Sequence, residues 1–532
     1  MRAVAFESTT GGAGVCVGPW AICEEGNIYT GEGIESLFER LLSGSGVIFD
    51  LDLSHRGHFY IDYLLRNGFK WSGYKWLRDR EFSTLVTNRT EIYKISICFK
   101  TSHKKGQTKI IEIRDASKKL AATIDKVEDI AAAFYVPYDA AKSPIINEVT
   151  AVDKSISEIF SRGLTALTIS SDALEHYQRL VGIKNFHNIF KPIDADTEKF
   201  LRRAYRGGLC LINAEHRGHE VNDVDVYDIN SAYPFQMVTM PMPYGAPHPF
   251  FGAPPADPLR PAWIAYVKIC FKLKCDGVPV VQSDEWFNNE YITDTRGMLI
   301  DLYITAPDYQ SICDNYEIQD IKFVSGYSFR VSENLFKDYV APLYAKKMRA
   351  ANVNREIAKL LLNGLYGKMA GRSVYQQLVP VMRDNVLDYV PGEVSRARAS
   401  SAIAAAAYIT AYQRAYLAKA IKANLNAFVY CDTDSLHLMA NAGLNGLEID
   451  DTRIGAFKHE CAYSKATYYK QKMYVATRDT GETECHMAGI PLKNTRGLTY
   501  ENIVNATTLP TTFSTITAGG LSRHTIAKSI SK

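Results

Sequence analysis

Three groups of residues have the types and spacing to do chemistry. In AFVYCDTDSLHLM, Ala427 to Met439, two β-rich runs flank Asp432 and Asp434. Residues two apart on an extended chain point the same way, so this spacing predicts two carboxylates side by side. Adjacent like charges repel, and a hard divalent cation such as Mg²⁺, which takes carboxylate oxygen, would neutralise them. The competing reading is structural, because Asp-Thr-Asp is also good hairpin-turn chemistry. A third carboxylate comes from VDVYDINSAYPFQM, Val224 to Met237, where an alternating apolar strand delivers Asp228 before a turn through Asn230 and Ser231 to Tyr233 and Pro234. A lone Asp at a strand end is ordinarily a cap, so Asp228 gains meaning only beside the other two. The third group is REIAKLLLNGLYGKMAG, Arg355 to Gly371. At helical spacing Arg355, Lys359, Asn363 and Tyr366 share one face, while Leu360, Leu361 and Leu365 serve a core. Such a stripe offers charge to phosphates and a ring to a base. An ordinary amphipathic helix would supply the Arg and Lys but would not require Asn and Tyr in that register.

The elements that must position these residues are legible in outline. VIFDLDL, Val47 to Leu53, has the pattern of a buried strand, and IDYLLRNGFKW, Ile61 to Trp71, that of a helix stopped near Gly68. A Pro-rich stretch from Pro241 to Pro261 is expected to break regular structure and mark an insertion or boundary. The uncharged, alanine-rich run Ala399 to Gln413 suits a helix packed closely against a sheet. The tail from Thr507 to Lys532 is rich in Thr and Ser, and no internal repeat is present.

Composition narrows the class without naming it. The 532 residues are 46% hydrophobic and 22% charged, enough for three or four domains and incompatible with a disordered, collagenous or disulfide-scaffold chain. Ten cysteines form no C-x-x-C pair, which predicts reduced thiols rather than a zinc or redox site. The N-terminus lacks a basic region followed by an apolar one, and no stretch approaches the roughly 20 apolar residues of a membrane span. With 61 basic and 58 acidic side chains the net charge is only +3, which by itself argues against a nucleic-acid binder. The signs are segregated, however. Lys100 to Lys126 holds eight basic against three acidic residues, and Lys337 to Arg372 eight against two, so the rest of the chain is net acidic. Binding through such segments would weaken steeply with salt.

Together and in this order, the three groups resemble the polymerase motifs of family B DNA polymerases. Asp228 with Ser231, Tyr233 and Pro234 matches the first motif; Lys359, Asn363, Tyr366 and Gly367 match the second; Tyr430, Asp432, Thr433, Asp434 and Ser435 match the third. Tyr205-Arg206-Gly207-Gly208 resembles the Tyr-x-Gly-Gly element between exonuclease and polymerase parts, and Lys472-Met473-Tyr474 the Lys-x-Tyr element that holds the primer end. RNGFKWS (Arg66 to Ser72), DASKKL (Asp115 to Leu120) and LTYEN (Leu498 to Asn502) narrow the likeness to the protein-primed branch found in phages. The resemblance implies an α+β multidomain, right-hand polymerase with an N-terminal RNase H-like exonuclease-type domain over residues 1–168. Palm would occupy 169–240 and 399–490, fingers 333–372 and thumb 491–532. Two insertions typical of the branch, terminal protein regions 1 and 2, would fall at 241–332 and 373–398; one binds the priming protein and the other encircles template and product.

The same resemblance implies template-directed addition of deoxynucleotides to a 3′ hydroxyl. Two Mg²⁺ ions, or Mn²⁺ in their place, would be held by Asp228 and Asp434, with Asp432 in support and the backbone carbonyl of Ile229 as a further ligand. Lys359, with Lys347 and Arg355 nearby, would neutralise the triphosphate. Ser231, Tyr233, Asn363 and Tyr366 would line the nucleotide, Tyr233 beneath the sugar where its ring excludes a 2′-hydroxyl, and Tyr366 stacked at the nascent pair. Tyr205, Gly207, Gly208, Thr433, Lys472 and Tyr474 would touch primer or template. The implied partners are template-primer DNA, deoxynucleoside triphosphates and a terminal protein, the implied state a monomer in the host cytoplasm without membrane association. One departure lies in the second motif: Gly364 stands where the family commonly has a small hydroxyl residue. It is expected to loosen packing against the template base without abolishing catalysis.

A larger departure lies at the N-terminus. The family's three exonuclease motifs, Asp-x-Glu, Asn-x-x-x-Asp and Tyr-x-x-x-Asp, align with Ala5-Phe6-Glu7, Asp52 to Arg56 and Val149 to Asp153. Of the four metal-binding carboxylates only Glu7 and Asp153 remain, and Arg56 puts a cation where a ligand belongs. This predicts a degenerate domain with weak or no 3′–5′ proofreading, unless Asp50, Asp52 or Asp62 compensates. His55 and His58 are read as ordinary histidines. Two further readings stay open: a family B polymerase that uses a nucleic-acid primer or none, and a catalytically silent DNA-binding scaffold.

Overall fold

The computed structural model describes residues 2–11, 14–74, 76–100, 108–120, 126–282, 290–350, 353–397, 399–490, 494–495 and 498–529. Lys104, Lys105 and Asp125 of the first basic segment, and the end of the Thr/Ser-rich tail, lie outside the described residues.

The N-terminal part is an eight-stranded sheet with Arg2–Gly11, Gly46–Asp50 and Thr108–Asp115 parallel to one another at its centre. Alternation sorts its two faces: Ala3 and Ala5 pack with helix Pro144–Ser161, whereas Val4 and Phe6 pack with helix Leu53–Arg66. The strand read as Val47 to Leu53 ends at Asp50, and the helix read from Ile61 begins at Leu53 and stops at Arg66. The side chain of Asp50 accepts the amide of Asp52 at 3.0 Å, and this Asx turn redirects the chain early.

A seven-stranded sheet follows, in the order Thr483–Met487, Met473–Arg478, Phe457–Lys470, Glu220–Ile229, Ser435–Met439, Phe428–Asp432, Cys210–Ile212. The alanine-rich run forms helix Ala402–Ala423, whose Ala404 to Ala407 are fully buried. Its C-terminal half, through Leu417, Ala418 and Ile421, covers the face of this sheet that carries Tyr227, Ile229, Leu436 and Leu438. Between the two motifs that this sheet gathers, the chain builds a four-stranded antiparallel sheet from Met242–Phe251, Tyr316–Ser332, Ala262–Leu273 and Ile300–Thr305, with helix Ala306–Asn315. The Pro-rich stretch is thus partly a strand. Pro243, Pro247 and Pro249 are tolerated because Met242–Phe251 is the edge of its sheet, where a missing N–H breaks no second ladder, and its register slips between Tyr244 and His248.

Two hairpins dock on the N-terminal sheet. In Val374–Arg383 with Val386–Arg396, the Tyr389 hydroxyl meets His58 Nδ1 at 2.9 Å and Asp388 pairs with Arg89 at 2.6 Å. In Thr508–Thr517 with Gly520–Ser529, Arg523 pairs with Asp52 at 2.8 Å and the Ala518 carbonyl accepts the Val15 amide. Glycine is required at this tip: Gly520 has φ 153°, and a Cβ there would lie 2.5 Å from the Phe59 ring. All ten cysteines are free thiols.

Burial pulls the His58 imidazole down to about 4 from its ordinary 6.5. A histidine held neutral by the fold stabilises it above the unfolded value, and that contribution is lost as pH falls through the folded one. Between pH 6.5 and 4 the protein is therefore expected to lose on the order of 3 kcal/mol more stability than a His58→Phe variant, measured by urea unfolding at each pH.

Candidate active site

Asp228 stands near the end of the central strand Glu220–Ile229, opposite Ser435 on one neighbour and Lys458 on the other. The hairpin joining Phe428–Asp432 to Ser435–Met439 turns at Thr433, whose φ is 63°. Three backbone bonds lock the turn: Thr433 N to Leu209 O at 2.7 Å, Asp434 N to Asp432 O at 2.6 Å, and Ile229 N to Asp434 O at 2.9 Å. The expectation of two carboxylates side by side on extended chain is therefore corrected. The left-handed residue between them gives the two acids different partners: the Asp434 carbonyl is pinned to the Asp228 strand, while both carboxylate oxygens of Asp432 accept Lys472 Nζ at 2.6 and 2.7 Å. The turn reading and the acidic reading are both right, since the tight turn is what aims the acids.

Charge at the site follows from this placement. Burial, then Asp434 and Glu460, push the Asp228 carboxyl up to about 8, against the pull of Lys347. Burial and Asp432 push Asp434 up to about 6. Lys347 donates to Ser231 Oγ at 2.9 Å, and burial together with Lys359 and Arg355 lowers its ammonium below the ordinary lysine range while Asp228 holds it up. Helix Val353–Met369 presents Arg355, Lys359 and Asn363 to solvent and buries Leu361, Leu362 and Leu365, with Leu360 only half-buried. The Tyr233 and Tyr366 rings lie 4.2 Å apart, and burial, then Tyr205 and Asp434, push the Tyr366 phenol up to about 12. A cationic helix face thus looks across two tyrosines at a pair of half-buried acids.

Gly364 does not face that space. It is buried against helix Ile169–Val181, where an added Cβ would come within 3.2 Å of Ser170 Cα and Ala173 Cβ, so the glycine tightens a helix crossing and does not loosen a template contact. Gly208 has a similar cause: a Cβ there would lie 2.8 Å from Thr433 Cα. Gly207 is open, and its carbonyl and that of Arg206 accept Arg414 at 2.8 and 3.0 Å. Tyr474 stacks on His486 at 4.6 Å within a cluster that includes Tyr430, Tyr468 and His437.

Sequence reasoning missed Glu460, Arg414 and Gln413. Glu460 is the residue skipped where the register shifts between Val226 and Tyr227, and a bulge re-aims its side chain toward Asp228. No spacing rule reveals this. Arg414, ion-paired with Asp308 at 2.7 Å, had one signal, a charge inside an alanine-rich helix. Gln413 donates to the Thr433 carbonyl at 3.1 Å and accepts from Gln236.

Among the described residues no three His, Cys, Asp or Glu side chains gather as a ready metal cluster. The Asp228 and Asp434 pair nonetheless fits a hard divalent cation: both donors are carboxylate oxygen, and burial together with neighbouring acids raises the affinity of each for positive charge. The N-terminal motifs do not fit one. Arg56 Nη1 meets Asp50 Oδ1 at 3.0 Å, its Nη2 meets Glu148 Oε2 at 3.0 Å, and its Nε donates to the Phe6 carbonyl. Ala5 is buried, Glu7 is exposed, and Asp153 lies against Cys23. Each of the three acids considered as a substitute is held by an arginine: Asp50 by Arg56, Asp52 by Arg523, and Asp62 by Arg66 at 2.6 Å.

Acids at the ends of adjacent antiparallel strands, facing a basic helix and flanked by a nuclease-like sheet, define a nucleotidyl-transferring polymerase. Residues 144–443 match the family described as DNA polymerase type B, organellar and viral, and the chain belongs to that family. It is 28% identical to the DNA polymerase of Bacillus phage M2 over 495 residues, covering 88% of this chain and 86% of the relative. Identity to the DNA polymerase of Bacillus phage phi29 is also 28%, over 467 residues, covering 84% of this chain and 80% of that one. The solved structure of Phi29 DNA polymerase with primer-template DNA and incoming nucleotide superposes with a TM-score of 0.90 at 25% identity, covering 100% of both chains. The fold is accordingly a right-hand polymerase with palm, fingers and thumb, an N-terminal exonuclease-type domain and two insertions, and the activity is that of a DNA-directed DNA polymerase.

Because Gly208 supports the turn from behind, Gly208→Ala is expected to lower the rate of nucleotide incorporation at least about tenfold by displacing Asp434, with the melting temperature changed little. Single-turnover kinetics beside calorimetry checks this.

Proposed function

We propose that this polymerase extends a 3′ hydroxyl with deoxynucleotides by a two-metal mechanism, and that it starts synthesis from a hydroxyl on a terminal protein. The reading rests on the Asp228 and Asp434 pair set across from Lys347, Arg355 and Lys359. The attacking hydroxyl oxygen forms a bond to the α-phosphorus, the bond to pyrophosphate breaks, and the hydroxyl proton is released. Asp228 and Asp434, with the Ile229 carbonyl, would hold Mg²⁺, or Mn²⁺ in its place, and the bound ions would neutralise charge at the transferring phosphoryl group. Asp432, engaged by Lys472, supports the site through its charge on Asp434. Lys359 and Arg355, exposed on their helix, meet the triphosphate, and Lys347 fixes Ser231 beside it. Tyr233, packed on Tyr366, sits under the sugar and leaves no room for a 2′-hydroxyl, while Asn363 and Tyr366 take the base side. Lys472, Tyr474 and the Tyr205 to Gly208 element bear on the primer terminus.

In protein-primed initiation the nucleophile is a Ser, Thr or Tyr hydroxyl of the terminal protein, and the bond changes are the same. The domain at 241–332 supplies the docking surface and the hairpin at 373–398 helps enclose the DNA. Proofreading is lost, because Arg56 fills the position of a metal ligand with a guanidinium already bonded to two carboxylates.

Three outcomes test this reading. Asp434→Ala is expected to reduce incorporation by more than about a thousandfold while affinity for primer-template DNA stays within about threefold, and persistent incorporation refutes the site. Incubation with mismatched primer, Mg²⁺ and no nucleotide is expected to leave the 3′ end intact over hours; brisk shortening overturns the loss of proofreading. Deleting residues 241–332 is expected to abolish initiation on terminal protein yet spare extension of an annealed primer, and equal loss of both would argue for a nucleic-acid primer.

A further inference from the structure

The segment Arg66 to Arg80, RNGFKWSGYKWLRDR, carries five cations against one acid and four aromatic residues. Its aromatics divide into two kinds. Phe69 is buried, and Trp71 is half-buried with its Nε1 donating to Thr84 Oγ1 at 3.1 Å. Tyr74 and Trp76 are each 81% exposed. The base of this loop is firmly held: Lys70 N donates to Arg80 O at 2.9 Å, Ser72 N to Phe82 O at 2.8 Å, and Arg80 N to Cys98 O at 2.9 Å. The two rings are therefore presented on an anchored edge of the N-terminal sheet.

The charges around them are also unevenly used. Asp79 accepts the Lys100 amide at 2.8 Å, Arg66 is tied to Asp62 and to Asn385 of the docked hairpin, and Arg80 lies over the Phe69 ring. Lys70 and Arg78 are exposed and enter no ion pair among the described residues. Large exposed rings flanked by free cations match one kind of partner: unpaired bases supply faces for stacking, and the phosphates between them supply negative charge. A duplex offers the phosphates but keeps its bases stacked on each other. The hairpin Val374–Arg383 with Val386–Arg396 lies against this edge, with Asn385 accepting from Arg66 and Gln377 donating to the Thr84 carbonyl.

We propose that Tyr74 and Trp76 form a stacking platform for single-stranded DNA, with Lys70 and Arg78 neutralising its phosphates. Neither Asp228 nor Asp434 takes part, so the site stands or falls independently of the polymerase chemistry. The test is the affinity of the full chain for labelled oligothymidylate and for blunt duplex, read by fluorescence anisotropy at several salt concentrations. The double variant Tyr74→Ala, Trp76→Ala is expected to bind oligothymidylate at least about tenfold more weakly, given the usual worth of a base stack, with duplex affinity unchanged. Tyr74→Phe with Trp76→Phe is expected to retain most of the affinity, since the rings remain. Lys70→Ala with Arg78→Ala is expected to flatten the salt dependence. Unchanged oligothymidylate affinity in the alanine variant, the outcome for a surface that serves a protein instead, would overturn the proposal. So would an equal loss on duplex, or an equal loss in the phenylalanine variant.

Discussion

Two half-buried carboxylates of like charge, held at the ends of neighbouring strands, are the constraint around which the molecule is built. Burial favours their protonated forms, reinforced at Asp228 by Asp434 and at Asp434 by Asp432. The fold keeps them together by backbone geometry: the amide of Ile229 holds the carbonyl of Asp434, Thr433 adopts a left-handed conformation, and Gly208 leaves room for that turn to approach. Arg414 then secures the Gly207 segment, and Lys347 brings positive charge close without cancelling the pair. What remains is negative potential on the side of the sheet that the basic helix faces.

The N-terminal domain answers the same problem in the opposite way. It too has acids converging near a strand end, but Arg56 occupies their midst and is fixed there by Asp50, Glu148 and the Phe6 carbonyl. A buried ion pair that loses one partner is strongly destabilised, so the guanidinium is held where it is. The domain keeps a structural use: both hairpins seat on it, through His58 and Tyr389 in one case and Asp52 and Arg523 in the other.

Glycine and proline show where local rules were overridden. Gly364 would be costly in an isolated helix, about 1 kcal/mol against alanine. It is present because another helix crosses at that point. Prolines 243, 247 and 249 speak against a strand, yet they lie in one, because it has a neighbour on only one side. In both cases the deciding contact is with a segment distant along the chain.

The sequence by itself determined the inventory and its local geometry. The alternation that delivers Asp228 and the helical stripe Arg355 to Tyr366 depend on periods of two and 3.6 residues that need no distant partner, and Asp-Thr-Asp marks a turn by its residue types alone. The substitution of Arg56 for an acid was equally plain. Only the tertiary structure decided which of two adjacent acids faces Asp228, that Lys472 takes the other, that a bulge brings in Glu460, and that arginines from three places hold Asp50, Asp52 and Asp62. The physical reason is that electrostatic energy depends on separation in space and on burial, and neither can be read from spacing along the chain once it has turned.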